Sequence, residues 1–264
     1  MFIMISSKVI AIVNQKGGVA KTVTALNLGY ALSEMGKKVC LIDFDPQNSL
    51  TVCFGYDNTD CIGTTIYDLM VLAIEERSLP EKKEYILSKG NMDIIPCNIE
   101  LSAIEISIVN VLSRELVLKS IVDEVKSDYD YVIIDCSPSL GMLTINALAA
   151  CDSAIIPVTP EYLSAKGLEL LLRNIIRVKK RINPKIEVDG ILLTMYVERT
   201  KLSKEILTII QNAYGSKINI FKNKIPTSVK VGEANLRNKS IIEYDPKNKV
   251  SMAYREFAKE VVVL

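Results

Sequence analysis

The chain has 264 residues and an almost balanced charge, with 32 basic and 31 acidic residues and no histidine. Its length and its 49% hydrophobic content suit one large α/β domain with a sizeable core. No apolar run approaches the ~20 residues of a membrane-spanning helix. Six scattered cysteines without paired spacing favour reduced thiols over disulfides or a zinc site. Without histidine, proton transfer would fall to carboxylates, lysine or water.

Residues 1–5 are too short for a signal peptide and have no leading basic region, so we interpret them as a lead-in to the first strand. Beyond them, apolar and β-branched runs recur along the chain. The runs are nearly continuous rather than alternating, which is typical of parallel strands buried on both faces. They span residues 9–13, 39–42, 92–95, 131–134, 154–158 and 191–195.

Helical patterns lie between and after these runs, at residues 24–35, 101–125, 163–181, 201–214 and 250–263. The alternation predicts a doubly wound, mainly parallel sheet flanked by helices, with ligands at the carboxyl ends of the strands. The polar connection at 57–65 and the charged one at 79–90 do not resemble domain linkers. We therefore expect one domain over residues 1–264, without a separate N-terminal helix-turn-helix domain.

A glycine-containing segment joins the first predicted strand to the first predicted helix. Gly17 and Gly18 allow backbone amides to approach an anion closely. Lys21 can reach the outer phosphates of a nucleotide, and the Thr22 hydroxyl can bind Mg²⁺. A strand, a glycine loop and a helix N-terminus together predict a phosphate-binding loop. The alternative is a tight turn with incidental lysines.

Two positions of this loop depart from the general phosphate-loop pattern, which has glycine where this chain has Gln15 and Ala20. A positive φ at Ala20 would cost roughly 1–2 kcal/mol. Residues 14–22, Asn-Gln-Lys-Gly-Gly-Val-Ala-Lys-Thr, nevertheless resemble the deviant Walker A motif of the ParA/MinD family of P-loop ATPases. That family usually has Gly at the position of Ala20 and often Thr at the position of Val23.

The resemblance implies a set of residues around the phosphates of ATP or ADP: Gly17, Gly18, Val19, Ala20, Lys21, Thr22 and Val23. It also implies that Lys16 is the signature lysine, which reaches across a two-fold interface to the ATP of a second subunit. Such a role is similar to that of an arginine finger supplied in trans. The competing interpretation of Lys16 is a solvated loop lysine.

Acidic residues follow two of the predicted strands. Asp43 and Asp45 alternate at the end of the 39–42 run, so both can face one site. By resemblance to the family's switch I segment, Asp45 would orient or activate the attacking water, and Asp43 would support the Mg²⁺ shell. Asp135 ends the 131–134 run as a Walker B acid does, and would bind Mg²⁺ through water. Thr22 would complete the metal site.

Weaker resemblances extend along the chain. Residues 136–141 resemble the family's switch II, and residues 192–196 with 225–226 resemble segments near the adenine. They imply that Met195 and Pro226 contact adenine, although a core methionine and a loop proline explain these residues equally well.

Basic residues are concentrated in residues 166–239, which carry 16 Lys and Arg against 6 Asp and Glu. An excess of this size favours a polyanionic partner. The candidate contacts to DNA phosphates are Arg177, Lys179, Lys180, Arg181, Lys222, Lys224 and Lys230. A solvated helix face with basic loops is the alternative.

The resemblance implies a partition ATPase of the ParA/Soj type, which serves chromosome or plasmid segregation in the cytoplasm at the nucleoid. We expect an ATP-bound homodimer, slow Mg²⁺-dependent hydrolysis, non-specific DNA binding and a ParB-like activator protein, without membrane or iron–sulfur partners. Three alternatives stay open. The first is a MinD-type membrane regulator, and the second is an electron carrier similar to the nitrogenase iron protein, for which Cys97 and Cys136 would be the ligands. The third is a nucleotide-binding scaffold without enzymatic activity.

Overall fold

The computed structural model describes residues 7–264, apart from the side chains of Asp60 and residues 162–166. The expected lead-in at residues 1–5 lies outside the described residues. The central sheet consists of β1 (Lys8–Ile12), β2 (Val39–Phe44), β3 (Leu87–Lys89), β4 (Met92–Ile95), β5 (Tyr131–Cys136), β6 (Ser153–Val158) and β7 (Glu187–Leu193). Its spatial order is β3-β4-β2-β5-β1-β6-β7, and only the β3–β4 pair is antiparallel. The predicted doubly wound, mainly parallel sheet is confirmed.

Helices cover both faces of this sheet. They are α1 (Lys21–Glu34), α2 (Ser49–Phe54), α3 (Ile66–Ile74), α4 (Lys82–Tyr85), α5 (Ile104–Ser107), α6 (Val117–Val125), α7 (Met142–Ala150), α8 (Tyr162–Arg181), α9 (Lys201–Tyr214), α10 (Val229–Asn235), α11 (Ile241–Tyr244) and α12 (Lys249–Val263). Residues of α3, α6, α7, α8 and α9 share one core layer, and residues of α1, α10, α11 and α12 share the other.

The two core layers explain why the strands read as continuous apolar runs. In β5, Val132 and Ile134 belong to one layer, whereas Tyr131 and Ile133 belong to the other. Successive side chains of a strand point to opposite faces, so a strand covered on both sides must be apolar at every position.

One helix prediction is wrong. Residues 101–125 do not form a continuous helix but short 3₁₀ turns at Ile99–Ala103, Ile108–Asn110 and Arg114–Leu116, with α5 among them and α6 after them. The backbone turns extended at Val111 and left-handed at Ser113, where φ is 53°. Asn146 of α7 accepts a hydrogen bond from the Leu118 amide at 3.0 Å and donates one to the Arg114 carbonyl at 2.9 Å. These tertiary bonds stabilise the broken path over the local helical pattern.

The carboxyl ends of the central strands meet at one edge of the sheet, which we call the carboxyl edge. There Asp43 of β2 pairs in register with Asp135 of β5, and Ile12 of β1 lies opposite Asp135 on the other side. The loop between β1 and α1 begins at the same edge. Parallel strand order therefore brings together segments that are far apart in the chain.

Candidate functional site

The loop between β1 and α1 contains two left-handed residues. Gly18 has a φ of 71°, and Ala20, the residue before α1, has φ and ψ of 64° and 36°. Glycine adopts this conformation without penalty, but for alanine it costs roughly 1–2 kcal/mol. No side chain caps the first turn of α1, so its free amides and positive dipole end are available to an anion.

Side chains of the loop fasten it to the β6–α8 segment. The Asn14 side chain donates to the Pro157 carbonyl at 2.7 Å and accepts from the Lys16 amide at 3.0 Å. Gln15 Nε2 donates to the Gly167 carbonyl at 2.9 Å. A Cβ at Gly167 would stand 2.9 Å from that nitrogen, so glycine is needed for this contact. The departure from the general motif at Gln15 thus has a structural role.

The Lys21 side chain is buried within the loop, with 7% of the residue exposed. Its Nζ donates to the Lys16 carbonyl at 3.2 Å. Burial lowers the pKa of Lys21, while the nearby charges of Asp135 and Asp45 oppose this shift. A partly desolvated ammonium at the start of a helix is suited to binding a phosphate group.

The Lys16 side chain takes a different direction and forms an ion pair with Glu161, the residue before α8. About a third of the Lys16 side chain is exposed (32%), and the Glu161 side chain is mostly exposed. Exposed ion pairs contribute about 0–1 kcal/mol, so this contact can break when a stronger anion approaches. The geometry is compatible with a lysine that leaves its own subunit.

Asp43 is fully buried and its carboxylate is held by α2. Its Oδ2 accepts from the Thr51 hydroxyl at 2.6 Å and from the Thr51 amide at 2.8 Å. Its Oδ1 accepts a longer bond, 3.4 Å, from the Asp45 amide. Burial raises the pKa of Asp43 to about 7, even though the Thr51 bonds favour the ionised form.

Asp135 is equally buried, but neither of its oxygens makes a hydrogen bond of normal geometry in the part of the chain that the structure describes. Burial and the neighbouring Asp43 raise the pKa of Asp135, whereas the nearby Thr22 hydroxyl and Lys21 ammonium favour its ionised form. A buried carboxylate without a partner is rare and costly, and in native proteins it often marks a missing ion or water.

Asp45 lies just beyond β2 and is 9% exposed. Its Oδ1 accepts from the Gln47 amide at 3.0 Å, which fixes the carboxylate at the start of the turn into α2. Asp45 is therefore close to Asp43 but more accessible, as a group that positions a water molecule needs to be.

The predicted metal-binding residues were Thr22, Asp43 and Asp135. Among the side chains that the structure describes, no group of three or more His, Cys, Asp or Glu is arranged to hold a metal by itself. A hydroxyl and two acids at the carboxyl edge nevertheless offer the oxygen donors that Mg²⁺ prefers, and Mg²⁺ commonly keeps several waters and binds through substrate phosphates. The unpartnered oxygens of Asp135 fit such a water-mediated site.

The two predicted adenine contacts follow neighbouring segments. Tyr196, next to Met195, forms a parallel bridge with Pro226, and its amide donates to the Ile225 carbonyl at 2.9 Å. Met195 is 46% exposed and left-handed, with a φ of 51°. Such backbone strain in a residue other than glycine is most often found at functional sites. The sequence did not predict a role for Thr194. Its hydroxyl donates to the Val19 carbonyl at 3.0 Å and so joins this segment to the phosphate loop.

Pro226 also lines a groove of about 870 Å³ between α12 and the segments that follow β7. Four basic side chains contribute to its wall, and we call them the groove cations: Arg199, Lys222, Lys224 and Lys249. The Lys224 Nζ lies 5.0 Å from the centre of the Tyr196 ring. Arg199 and Lys249 were not predicted from the sequence, because nothing in the local pattern distinguishes them from other surface cations.

The remaining predicted DNA contacts lie elsewhere. The residues Arg177, Lys179, Lys180 and Arg181 lie in the last two turns of α8, close to the amino end of β7 and thus at the edge opposite Asp43. Lys179 is paired with Glu187, and Lys230 with Glu233. The structure does not gather the predicted cations into one surface.

Cys97 and Cys136 both lie near the carboxyl edge and are buried. The Cys97 thiol donates to the Asn98 carbonyl, and burial raises the pKa of both thiols. Such thiols behave as small packed side chains and are poorly disposed to act as thiolate ligands.

Comparison with known proteins bears directly on this geometry. A family model described as an AAA domain matches residues 7–188, and the Bacillus subtilis sporulation initiation inhibitor protein Soj is 41% identical over 254 residues, covering 96% of this chain and 98% of that protein. The chain belongs to the ParA/Soj family of P-loop ATPases. The family resemblance inferred from residues 14–22 is thereby confirmed.

Other relatives of this ParA/Soj family member extend the likeness. The Caulobacter vibrioides chromosome partitioning protein ParA is 37% identical, covering 97% of this chain and 94% of that protein. Among solved structures, the Mycobacterium smegmatis protein described as cobyrinic acid a,c-diamide synthase, with bound ADP and magnesium, has a TM-score of 0.83 and 33% identity. The match covers 97% of this chain and 94% of that one. No helix in the described part of the chain is long and apolar enough to cross a bilayer.

Proposed function

We propose that this chain is a Mg²⁺-dependent partition ATPase that binds DNA in an ATP-bound dimer. The observation that carries the proposal is the unpartnered, fully buried carboxylate of Asp135 beside Lys21 at the carboxyl edge. The Lys21 ammonium and the Thr22 hydroxyl offset this desolvation cost only in part, and a bound cation would offset more of it.

The loop amides and the start of α1 would hold the phosphates of ATP or ADP, with Lys21 at the outer phosphates. Mg²⁺, when bound, would neutralise negative charge on the phosphates; Thr22, Asp43 and Asp135 are the residues that would hold it. The Mycobacterium smegmatis relative has been solved with ADP and magnesium and with an ATP analogue and magnesium, which supports this assignment.

For hydrolysis, Asp45 would orient the attacking water and accept its proton, since no histidine is present to do so. Lys16 would stabilise negative charge on the nucleotide of the second subunit. To reach it, Lys16 must leave Glu161, so hydrolysis would wait on dimer formation. This requirement agrees with slow turnover in the absence of an activator.

DNA binding would involve the groove cations, since the four line one groove together with two acids, Glu198 and Glu256, and Lys222 and Lys224 were already candidates from the charge count. Contacts of this kind bind phosphates without reading base sequence, and their affinity falls steeply with salt. The names of two relatives, the Treponema pallidum chromosome-partitioning ATPase Soj and the Caulobacter vibrioides chromosome partitioning protein ParA, support chromosome partition as the process. A plasmid as the cargo and a ParB-like protein as the activator are part of the proposal and come from the motif resemblance alone.

The proposal is tested by measuring ATP turnover with and without DNA and a ParB-like partner, in wild-type protein and in Asp45→Ala. We expect stimulated turnover in the wild type and a loss of roughly 10²-fold or more in the variant. Asp128→Ala is a matched control, because Asp128 is an exposed acid paired with Lys82 at the opposite edge. Absence of stimulated turnover in intact protein, or equal turnover in Asp45→Ala, would refute the ATPase proposal.

Dimerisation and DNA binding are separable from hydrolysis. Size-exclusion chromatography with light scattering in ATP and in ADP should show a dimer only with ATP, and Lys16→Ala should retain ATP binding while losing stimulated turnover. DNA affinity should be higher with ATP than with ADP. Equal DNA affinity in both nucleotides would contradict a switch controlled by ATP.

A further inference from the structure

One fully buried side chain beside the site has no role in the sequence motifs. Thr51, in α2, gives both its hydroxyl and its backbone amide to the same oxygen of Asp43, Oδ2, at 2.6 and 2.8 Å. The other oxygen, Oδ1, has only the 3.4 Å bond from the Asp45 amide. The two oxygens of Asp43 therefore differ, since one is saturated by Thr51 and the other retains the capacity to accept a further donor.

A second hydrogen bond, which the Thr51 hydroxyl oxygen accepts, fixes the direction in which the hydroxyl hydrogen points. The Cys97 amide, two residues beyond β4, donates to Thr51 Oγ1 at 2.9 Å. A hydroxyl has one hydrogen to donate, and an oxygen that accepts from an amide on one side directs its hydrogen elsewhere. The Thr51 hydroxyl thus links the Cys97 amide, just beyond β4, to the Asp43 carboxylate in β2 through two hydrogen bonds.

The same residue also fixes the segment that contains Asp45. The chain runs from Asp45 through a left-handed Asn48, where φ is 47°, into the first turn of α2. Because Thr51 lies in that helix and binds Asp43, the segment between Asp43 and Thr51 is closed into a short ring. A carboxylate held in such a ring keeps one orientation before any ligand arrives, which is how groups outside the metal shell raise the affinity of a site.

We propose that Thr51 is a positioning residue for the metal site: it holds Asp43 through Oδ2, so that Oδ1 is presented to a water of the Mg²⁺ shell. The inference rests on the proposed Mg²⁺–nucleotide site. Thr51 does not touch the nucleotide or the metal itself and acts through Asp43. By contrast, Asp135 accepts no hydrogen bond of normal geometry among the described residues, and the nearby Thr22 hydroxyl and Lys21 ammonium are the groups that favour its ionised form.

The test compares Thr51→Val, which keeps the shape and removes the hydroxyl, with Thr51→Ser, which keeps the hydroxyl. A fluorescent ADP analogue is titrated onto each protein over a range of Mg²⁺ concentrations and in EDTA. Thr51→Val should require about tenfold more Mg²⁺ for half-maximal binding, with unchanged affinity in EDTA. Thr51→Ser should stay within about threefold of wild type. A merely structural role would instead weaken binding in EDTA as well, and the serine variant would not restore the Mg²⁺ requirement.

The proposal is overturned if Thr51→Val and wild type need the same Mg²⁺ concentration, or if Thr51→Ser is impaired as strongly as Thr51→Val. If Thr51→Val fails to fold, Thr51→Ala replaces it, because it also lacks the hydroxyl. Wild-type binding that does not depend on Mg²⁺ at all would refute the metal site of the proposed function. A wild-type dependence that the valine change leaves intact would refute only the role of Thr51.

Discussion

The carboxyl edge and the basic part of the chain were both prominent in the sequence, yet the structure treats them differently. At the carboxyl edge, Lys21, Asp43 and Asp135 come from three separate segments and are buried within one site. The described cations of residues 167–239 are largely exposed, and the structure distributes them over the end of α8, over α9 and α10, and along the groove at α12. The charged groups of the carboxyl edge are thus buried together in one site, whereas those of the basic part of the chain are spread over the surface.

This difference predicts two kinds of mutational response. Buried charges and a strained loop have energetic costs that only a specific ligand can offset, so single changes there should have large effects. Exposed cations contribute small, additive and salt-screened terms. Substitutions from both regions, measured on one scale, should therefore separate into large effects at the carboxyl edge and small effects on the basic surface.

The largest effect is expected at Lys21. Lys21→Ala removes the buried ammonium from the phosphate loop and should reduce ATP turnover by roughly 10²-fold or more, with a matching loss of nucleotide affinity. Turnover and nucleotide binding by isothermal calorimetry check this. Lys37→Ala is the control, since Lys37 follows α1 at its far end. A Lys21→Ala protein with near-normal nucleotide affinity would show that the site does not depend on a concentrated charge.

The pH dependence of stability is the second test of a buried, costly site. The pKa of Asp43 is about 7 in the folded protein, against an ordinary value of 3.8. The folded state therefore binds this proton more tightly than the unfolded state, so the free energy of unfolding falls as pH rises from about 4 to about 7 and is fully reduced above that. The expected loss is of the order of a few kcal/mol for the metal-free protein.

Urea unfolding at several pH values between 4 and 8 measures this trend, and the absence of histidine leaves the window clear of imidazole titration. Asp43→Asn should reduce the slope, and the raised pKa of Asp135 should leave a remainder. Mg²⁺ with ADP should also flatten it, because a nearby cation favours the ionised carboxylate. Stability that is constant from pH 5 to 7 in metal-free wild type would contradict the cost assigned to this group.

Much of the fold followed from the sequence because buried parallel strands are apolar at every position. The run at 92–95 coincides with β4, and the helix at 201–214 coincides with α9. The antiparallel strand β3 was missed because it has only three residues within a charged connection. Helix α2 was missed because its six residues are stabilised by bonds between Thr51 and Asp43 rather than by a helical pattern.

The candidate site divides in the same way. The phosphate-loop residues and the three acids were predicted from motif resemblance and from their positions at strand ends, and the structure brings these segments together at the carboxyl edge. The residues that hold this loop and these acids in place could not be predicted from the sequence. Thr51, Thr194 and Glu161 act through contacts that form only in the folded chain. Likewise, Arg199 and Lys249 are more than 40 residues apart and become neighbours only along the wall of the groove.

Backbone strain at Ala20 in the phosphate loop should have a smaller effect, on the free energy of unfolding. Ala20→Gly should raise the free energy of unfolding by about 1 kcal/mol, because glycine tolerates the left-handed conformation seen there. Ala31→Gly is the matched control, since Ala31 lies inside α1, and glycine there should lower stability by about 1 kcal/mol. Chemical denaturation of both variants measures the two signs. Equal destabilisation by both changes would mean that Ala20 is not strained.

The smallest effects per residue are expected on the basic surface. Replacing Lys222 and Lys224 by Gln should reduce the slope of log affinity for DNA against log salt by about 2, since each phosphate contact contributes about 0.9. Lys180 and Arg181, replaced in the same way, are the matched control at the far end of α8. DNA affinity in ATP at several salt concentrations gives both slopes. If the α8 pair changes the slope and the groove pair does not, DNA lies at the edge opposite the nucleotide site. If neither pair changes it, DNA contacts other cations of the chain, and the assignment of DNA to the groove is refuted.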